Sequence, residues 1–279
     1  MIPPRSLLYM PASRRAFLEK APDHPADLAI VDLEDSVAPG EKDLARENVR
    51  AAALAGTLTH ERPWMLRINA GPTGPPPEDL ILVGYAKPAW VVLPKAEDVA
   101  ATRPLVARIA EHGARVALTI ESARGIAHVR ELAGCHPAVG MLILGSADLR
   151  LSLAAPEEPE RAWERHAMAE LLVAARCHGA CAIDSVWFRY RDDDGLRRHA
   201  GVARGMGFDG KSCIHPGQVP VVHEVFAPTP EEIRWAEAVR EAWVSGDGAG
   251  RGVVSMDGEM IEALHLTLAD RILRRLRSD

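Results

Sequence analysis

Nine charged or polar side chains in this chain lie in or just past the carboxyl ends of short apolar runs. Asp32, Glu34 and Asp35 close LAIVDLE. Arg67 and Asn69 sit in WMLRIN, Lys95 ends WVVLPK and Glu121 ends VALTIE. Asp148 comes shortly after MLILG, and Asp184 lies within AIDSV. One such charge means only that a strand has left the core and met water. Many of them, with Glu121 following Leu118–Ile120 and Arg67 set between Leu66 and Ile68, suggest convergence on one mouth. Converging carboxylates suit a hard cation such as Mg²⁺, which takes one or two protein carboxylates and keeps water and substrate oxygens. Glu121 and Asp148 follow neighbouring runs and can share one ion, with Glu34 and Asp35 holding its waters. Arg67 offers a planar fork for a carboxylate or a developing oxyanion. Ser13, Arg14 and Arg15 can present a helix start and two guanidinium groups to a phosphate. His215, before Pro216, reads either as an acid/base group or as a structural, hydrogen-bonded ring.

The elements that must hold these groups are legible as alternation. Strands are expected at 7–11, 28–34, 64–69, 90–95, 116–121, 141–145, 182–186 and 210–214. Their near-continuous apolar character fits a parallel sheet covered by helices. Amphipathic helices are expected after Ser13, with Ser13 as N-cap, and at 42–54, 97–111, 123–132 and 161–178. Eight alternating units favour a closed (β/α)₈ barrel, whose active site forms at the carboxyl ends of its strands. At 279 residues one barrel accounts for most of the chain. It is expected over 1–245, with its closing helices, and a linker and C-terminal segment over 246–279. GPTGPPPED (71–79) reads as a loop. SGDGAGRG (245–252) reads as a flexible linker before a terminal helix.

Bulk composition excludes several classes. The net charge of −6 argues against non-specific nucleic-acid binding, which needs a basic surface. No run approaches the roughly 20 apolar residues of a membrane helix, and the first fifteen residues do not read as a signal peptide. The four cysteines match no zinc spacing, so free thiols in a reducing, cytoplasmic setting are expected. A G-x-S-x-G motif is missing from the sequence, which argues against serine-hydrolase chemistry.

RSLLYMPAS (5–13), DLAIVDLEDSVAPGEK (27–42), LRIN (66–69), VVLPKAED (91–98), TIESARG (119–125), LGSADL (144–149), AIDSV (182–186), GFDGKSCIHPGQV (207–219) and MDGEMIE (256–262) stand in one order along the chain. Together they resemble the citrate lyase β-subunit-like family, within the HpcH/HpaI aldolase superfamily, which includes malyl-CoA and citramalyl-CoA lyases. The resemblance implies a (β/α)₈ barrel, Mg²⁺, coenzyme A as part of the substrate and a homotrimer. By the resemblance, Glu121 and Asp148 are metal ligands, Arg67 is the active-site arginine, and Glu34 and Asp35 bind metal waters. The segment from Gly145 through Ser146 and Ala147 to Asp148 would hold a keto-acid carboxylate. In many relatives a C-terminal Asp reaches a neighbouring subunit's site for proton transfer. Here that position is Glu262, longer by roughly 1.5 Å, one C–C bond. SAD at 146–148 replaces the usual Gly-Glu-Asp. The implied activity is Mg²⁺-dependent carbon–carbon cleavage of a hydroxy-acid CoA thioester, giving an acyl-CoA and a 2-keto acid. Thioester hydrolysis, an aldolase acting on free keto acids, and a non-catalytic CoA-metabolite binder are the alternatives.

Overall fold

A computed structural model describes residues 2–59, 61–71, 74–156, 161–246 and 248–276. It divides into a unit over Pro3–Val225 and a second that begins at Phe226.

The first unit is a closed barrel of eight parallel strands in chain order. They are β1 (Ser6–Pro11), β2 (Leu28–Asp32), β3 (Trp64–Arg67), β4 (Trp90–Leu93), β5 (Arg115–Ile120), β6 (Val139–Leu144), β7 (Cys181–Asp184) and β8 (Gly210–Cys213). All eight expected runs are strands, and β8 pairs back onto β1 to close the ring. Between them lie α1 (Arg15–Glu19), α2 (Lys42–Leu54), α3 (Pro77–Ala86), α4 (Val99–Glu111), α5 (Ala123–Ala127), α6 (Val129–Ala133), α7 (Ser146–Ser152), α8 (Glu164–Cys177), α9 (Asp193–Met206) and α10 (Val219–Phe226). Leu7, Leu28, Ile30, Met65, Trp90, Val92, Ala117, Met141, Ile143 and Ile183 pack as one buried cluster. Strand side chains alternate faces, so this cluster sets which parity points inward. Continuing that parity along each strand directs Asp32, Arg67, Thr119, Glu121, Gly145 and Ser185 to the lumen. Asp184 and Lys211 have the other parity and face the helices.

Several local expectations are corrected. The N-cap of α1 is Arg14, not Ser13, and no side chain caps it. The carbonyls of Ala12 and Ser13 instead accept from Asn48 Nδ2, which fixes that turn from α2. The helix expected at 123–132 is two helices meeting at His128. The loop expected at 71–79 already contains the first turn of α3, started by Pro77, while 72 and 73 lie outside the described residues.

The second unit contains α11 (Pro230–Ser245), α12 (Gly248–Arg251), β9 (Val253–Met256), β10 (Glu259–Glu262) and α13 (Ala263–Arg275). It starts about twenty residues before the expected boundary at 245, because Ala236 and Val239 of α11 pack with Val254, Ile261 and Ala269. The stretch read as a linker carries a helical turn, α12, with 247 outside the described residues. Between that stretch and the terminal helix α13, β9 and β10 form an antiparallel hairpin pairing Glu259 with Met256 and Glu262 with Val253. Among the described residues no helix is long and apolar enough to cross a membrane.

Candidate active site

The mouth is built from main-chain turns that follow the strands. Asp32, the last residue of β2, is fully buried. It accepts from the N–H groups of Glu34 (2.9 Å) and Ser36 (3.2 Å) and from the Ser36 hydroxyl, so it shapes the turn that presents Glu34 and Asp35. Arg67, at the same level on β3, donates to both Asp32 oxygens, from Nε and Nη2, at 2.6 Å each. The pair is bidentate and charge-assisted, the strongest common form of such contact. Its Nη1 lies 3.2 Å from Glu34 Oε2, and its guanidinium carbon stands 4.7 Å from the Tyr9 ring centre. Burial alone would raise Asp32; the Arg67 contacts overcome it and hold the carboxyl below its ordinary range. Asp32 takes two of the five guanidinium N–H groups, which leaves Nη1 and one N–H of Nη2 directed elsewhere.

Glu121 is fixed from both sides. It falls between the end of β5 and Ser122, whose hydroxyl caps α5 by accepting from Gly125 N–H at 3.0 Å. Its Oε1 accepts the Lys95 N–H at 2.7 Å. On the other side is Gly145, where an added Cβ would stand 2.5 Å from Glu121 Cβ and 2.6 Å from Oε2. The missing side chain at 145 is therefore what lets Glu121 enter the mouth. Burial pushes the Glu121 carboxyl up to about 8. The Lys95 N–H bond and Arg67 oppose that rise, while the negative charges of Glu34 and Asp148 add to it.

Lys95 is the residue the spacing argument undervalued. Its backbone is left-handed at φ 55°, which a residue with a Cβ adopts rarely. That conformation lets one residue serve two acids. The main-chain N–H holds Glu121, while Nζ reaches Glu34 Oε1 at 2.6 Å and Asp35 Oδ1 at 3.5 Å. Asn69 is held by the first turn of α3, since its N–H and Nδ2 both donate to Asp79 Oδ2 at 2.8 Å.

The structure thus gathers Asp32, Glu34, Arg67, Lys95 and Glu121 by direct contact, and places Asp148 near enough to bear on Glu121. Other polar groups are placed differently. Arg15 pairs with Glu19 on an exposed surface. Lys42 Nζ donates to the carbonyls of Leu33 and Glu34, at 2.7 and 2.6 Å, and Arg46 pairs with Asp79 and Asp43. His215 accepts from Gly217 N–H and stacks on Tyr190, the structural alternative. Asp184 faces outward to Arg161 and Lys211 rather than the mouth. Glu262 ends β10 with its side chain exposed and its N–H donating to His265 Nδ1.

The donor set fits a divalent cation. Glu121 is a buried carboxyl whose negative form is disfavoured by its surroundings, and a cation would restore it. Among the described residues no three His, Cys, Asp or Glu side chains close on one point. Two carboxylates, Glu121 with Asp148, would leave positions for water and substrate oxygens, which is how Mg²⁺ is usually held.

The HpcH/HpaI aldolase/citrate lyase family profile matches residues 5–216. A (3S)-malyl-CoA thioesterase of Cereibacter sphaeroides is 34% identical over 273 residues, covering 98% of this chain and 94% of the relative. The mitochondrial citramalyl-CoA lyase of Rattus norvegicus is 32% identical over 98% of this chain and 86% of its own. Among solved structures, protein CitE of Mycobacterium tuberculosis in complex with magnesium, acetoacetate and coenzyme A aligns with TM-score 0.82 and 33% identity over 99% of both chains.

Proposed function

The chain belongs to the HpcH/HpaI aldolase/citrate lyase family, and from that premise we propose that it cleaves the carbon–carbon bond of a short hydroxy-acid CoA thioester such as malyl-CoA or citramalyl-CoA. The observation that carries the reading is Glu121, buried beside Gly145 and aimed into a mouth that already holds an arginine fork. Glu121 and Asp148 would hold Mg²⁺, with Glu34 and Asp35 ordering its waters. A bound Mg²⁺ supplies charge stabilisation to the carboxylate and neighbouring oxygen of the 2-hydroxy-acid unit.

The chain's own groups do the rest. The Gly145–Asp148 turn, with Ser146 and Ala147, receives the acid end. When the carbinol hydroxyl gives its proton to water and the bond between the carbinol carbon and the thioester α-carbon breaks, the electron pair of that bond becomes a thioester enolate and the carbinol becomes a carbonyl group. Arg67 is rigid before substrate arrives, and the N–H groups spent on neither Asp32 nor Glu34 can face the enolate oxygen. Glu262, supplied by a neighbouring subunit of a homotrimer, would return a proton to the enolate carbon. Arg14, with Ser13 and Arg15, would meet the coenzyme A phosphates.

Thioester hydrolysis is the second reading, favoured by the name of the Cereibacter sphaeroides relatives. Both reactions use the same acid site and differ in whether the carbon–carbon or the carbon–sulfur bond breaks. The test is product analysis with malyl-CoA and citramalyl-CoA, in Mg²⁺ and in EDTA. Glyoxylate or pyruvate appearing with Mg²⁺ and lost in EDTA supports cleavage, and free malate or citramalate supports hydrolysis. Equal turnover in EDTA overturns the metal role. Light scattering in solution decides the trimer.

A further inference from the structure

Behind β7 and β8 lies a buried ionic chain that the reaction scheme leaves unused. Arg161 is 1% exposed and its backbone is left-handed at φ 60°. Its fork grips Asp184 of β7, with Nη2 2.6 Å from Oδ1 and Nη1 3.0 Å from Oδ2. Lys211 of β8, fully buried, reaches Asp184 Oδ2 at 2.7 Å, the Ser185 carbonyl, and His199 Nδ1 of α9 at 2.8 Å. On its other side Arg161 holds Glu164 Oε2 from Nη2 at 2.6 Å and from Nε at 3.1 Å. That same Glu164 oxygen accepts the hydroxyl of Ser146 at 2.7 Å.

The chain of contacts therefore starts outside the barrel wall and ends on the first residue of α7, two positions before Asp148. Buried charges are costly to desolvate and are kept where each is paired. A full set of partners also fixes geometry, because each member has one satisfied arrangement. Here that arrangement reaches the metal-side turn through the Ser146 hydroxyl, and it touches lumen-facing Ser185 from Arg161 Nη2 at 3.5 Å.

We propose that Glu164 and Arg161 are positioning residues that act through Ser146 to set the Gly145–Asp148 turn, and with it the reach of Asp148 toward a divalent cation. This rests on the reading that this turn holds the ion and the acid. Groups that orient a metal ligand from behind usually govern affinity by about 10- to 100-fold.

The test titrates Mn²⁺, a probe accepted by oxygen ligands, into the full-length protein by electron paramagnetic resonance. Glu164→Gln and Ser146→Ala are each expected to weaken Mn²⁺ binding about 10-fold or more. The double variant should be no weaker than the weaker single, and Ser146→Thr, which keeps a hydroxyl, should restore binding. Wild-type Mn²⁺ affinity in both single variants overturns the proposal, as do two effects that multiply independently. Ser146→Ala leaves Arg161, Glu164 and Asp184 paired, so it carries the test even where Glu164→Gln melts too low. If the wild-type protein binds no Mn²⁺, the metal reading itself fails; if it does and the variants match it, only the positioning role fails.

Discussion

At the scale of single residues, two acids of the mouth stand in opposite states. Asp32 is satisfied by Arg67 and by two backbone N–H groups, whereas Glu121 is pushed up to about 8 by burial. Opposite outcomes follow from removing their charges. Glu121→Gln should lower kcat/KM by at least about 100-fold, roughly 2.7 kcal/mol of transition-state stabilisation, without lowering the melting temperature of the metal-free protein. A melting curve taken in EDTA checks the second half. Arg67→Met should cost roughly 3–5 kcal/mol in urea unfolding, because it leaves Asp32 buried beside no cation. Adding Asp32→Leu to that variant should recover much of the stability and none of the activity. Arg67, Glu121 and Asp32 were legible in the sequence because each is a charge at the end of an apolar run. Lys95 was half legible: its position stood out, but its left-handed backbone is set by the turn it enters and has no glycine to announce it. Arg161 and Glu164 were not legible, since a charged stretch such as RAWER reads as a solvated helix start until Asp184 and Lys211 are seen to face outward.

At the scale of elements, the hairpin of the second unit shows where pattern reading stopped short. Asp257 and Gly258 both have positive φ, at 53° and 87°, the two-residue turn that an Asp-Gly pair favours. The signal was present as a dipeptide, but the strands beside it are four residues each and bury little, so their alternation is faint. Gly258→Val should cost roughly 1–2 kcal/mol, the penalty of a left-handed residue with a Cβ. Urea unfolding of the full-length chain measures it. Since Glu262 ends β10, a strained turn also misplaces that carboxylate. The eight barrel strands were legible because parallel strands covered by helices are apolar throughout. Helix limits were less so: α5 and α6 meet at His128, where neither glycine nor proline marks the break.

At the scale of the whole molecule, acid sensitivity follows from two buried imidazoles. Burial, aided by Arg62, holds His24 at about 4, and burial with the Lys211 charge holds His199 at about 4. Both lie below the ordinary 6.5, so between those values the unfolded chain binds more protons than the folded one. Stability must then rise with pH through that window and fall as the solution is acidified from neutrality toward pH 4. His24→Phe should make the acid side of a stability-against-pH curve shallower, while leaving the plateau near pH 7 little changed, because His24 Nδ1 has no hydrogen-bond partner among the described residues. An unchanged slope would contradict the assignment. The void at Gly145 has a wider consequence for how this chain can vary. A library that randomises 145–148 and selects for turnover should return glycine alone at the first position, because even a methyl group displaces the neighbouring acid, yet accept many residues at solvent-facing Ala147. Sequence drift in this segment is thus throttled by a contact with another strand, and diversity should collect two residues away from it.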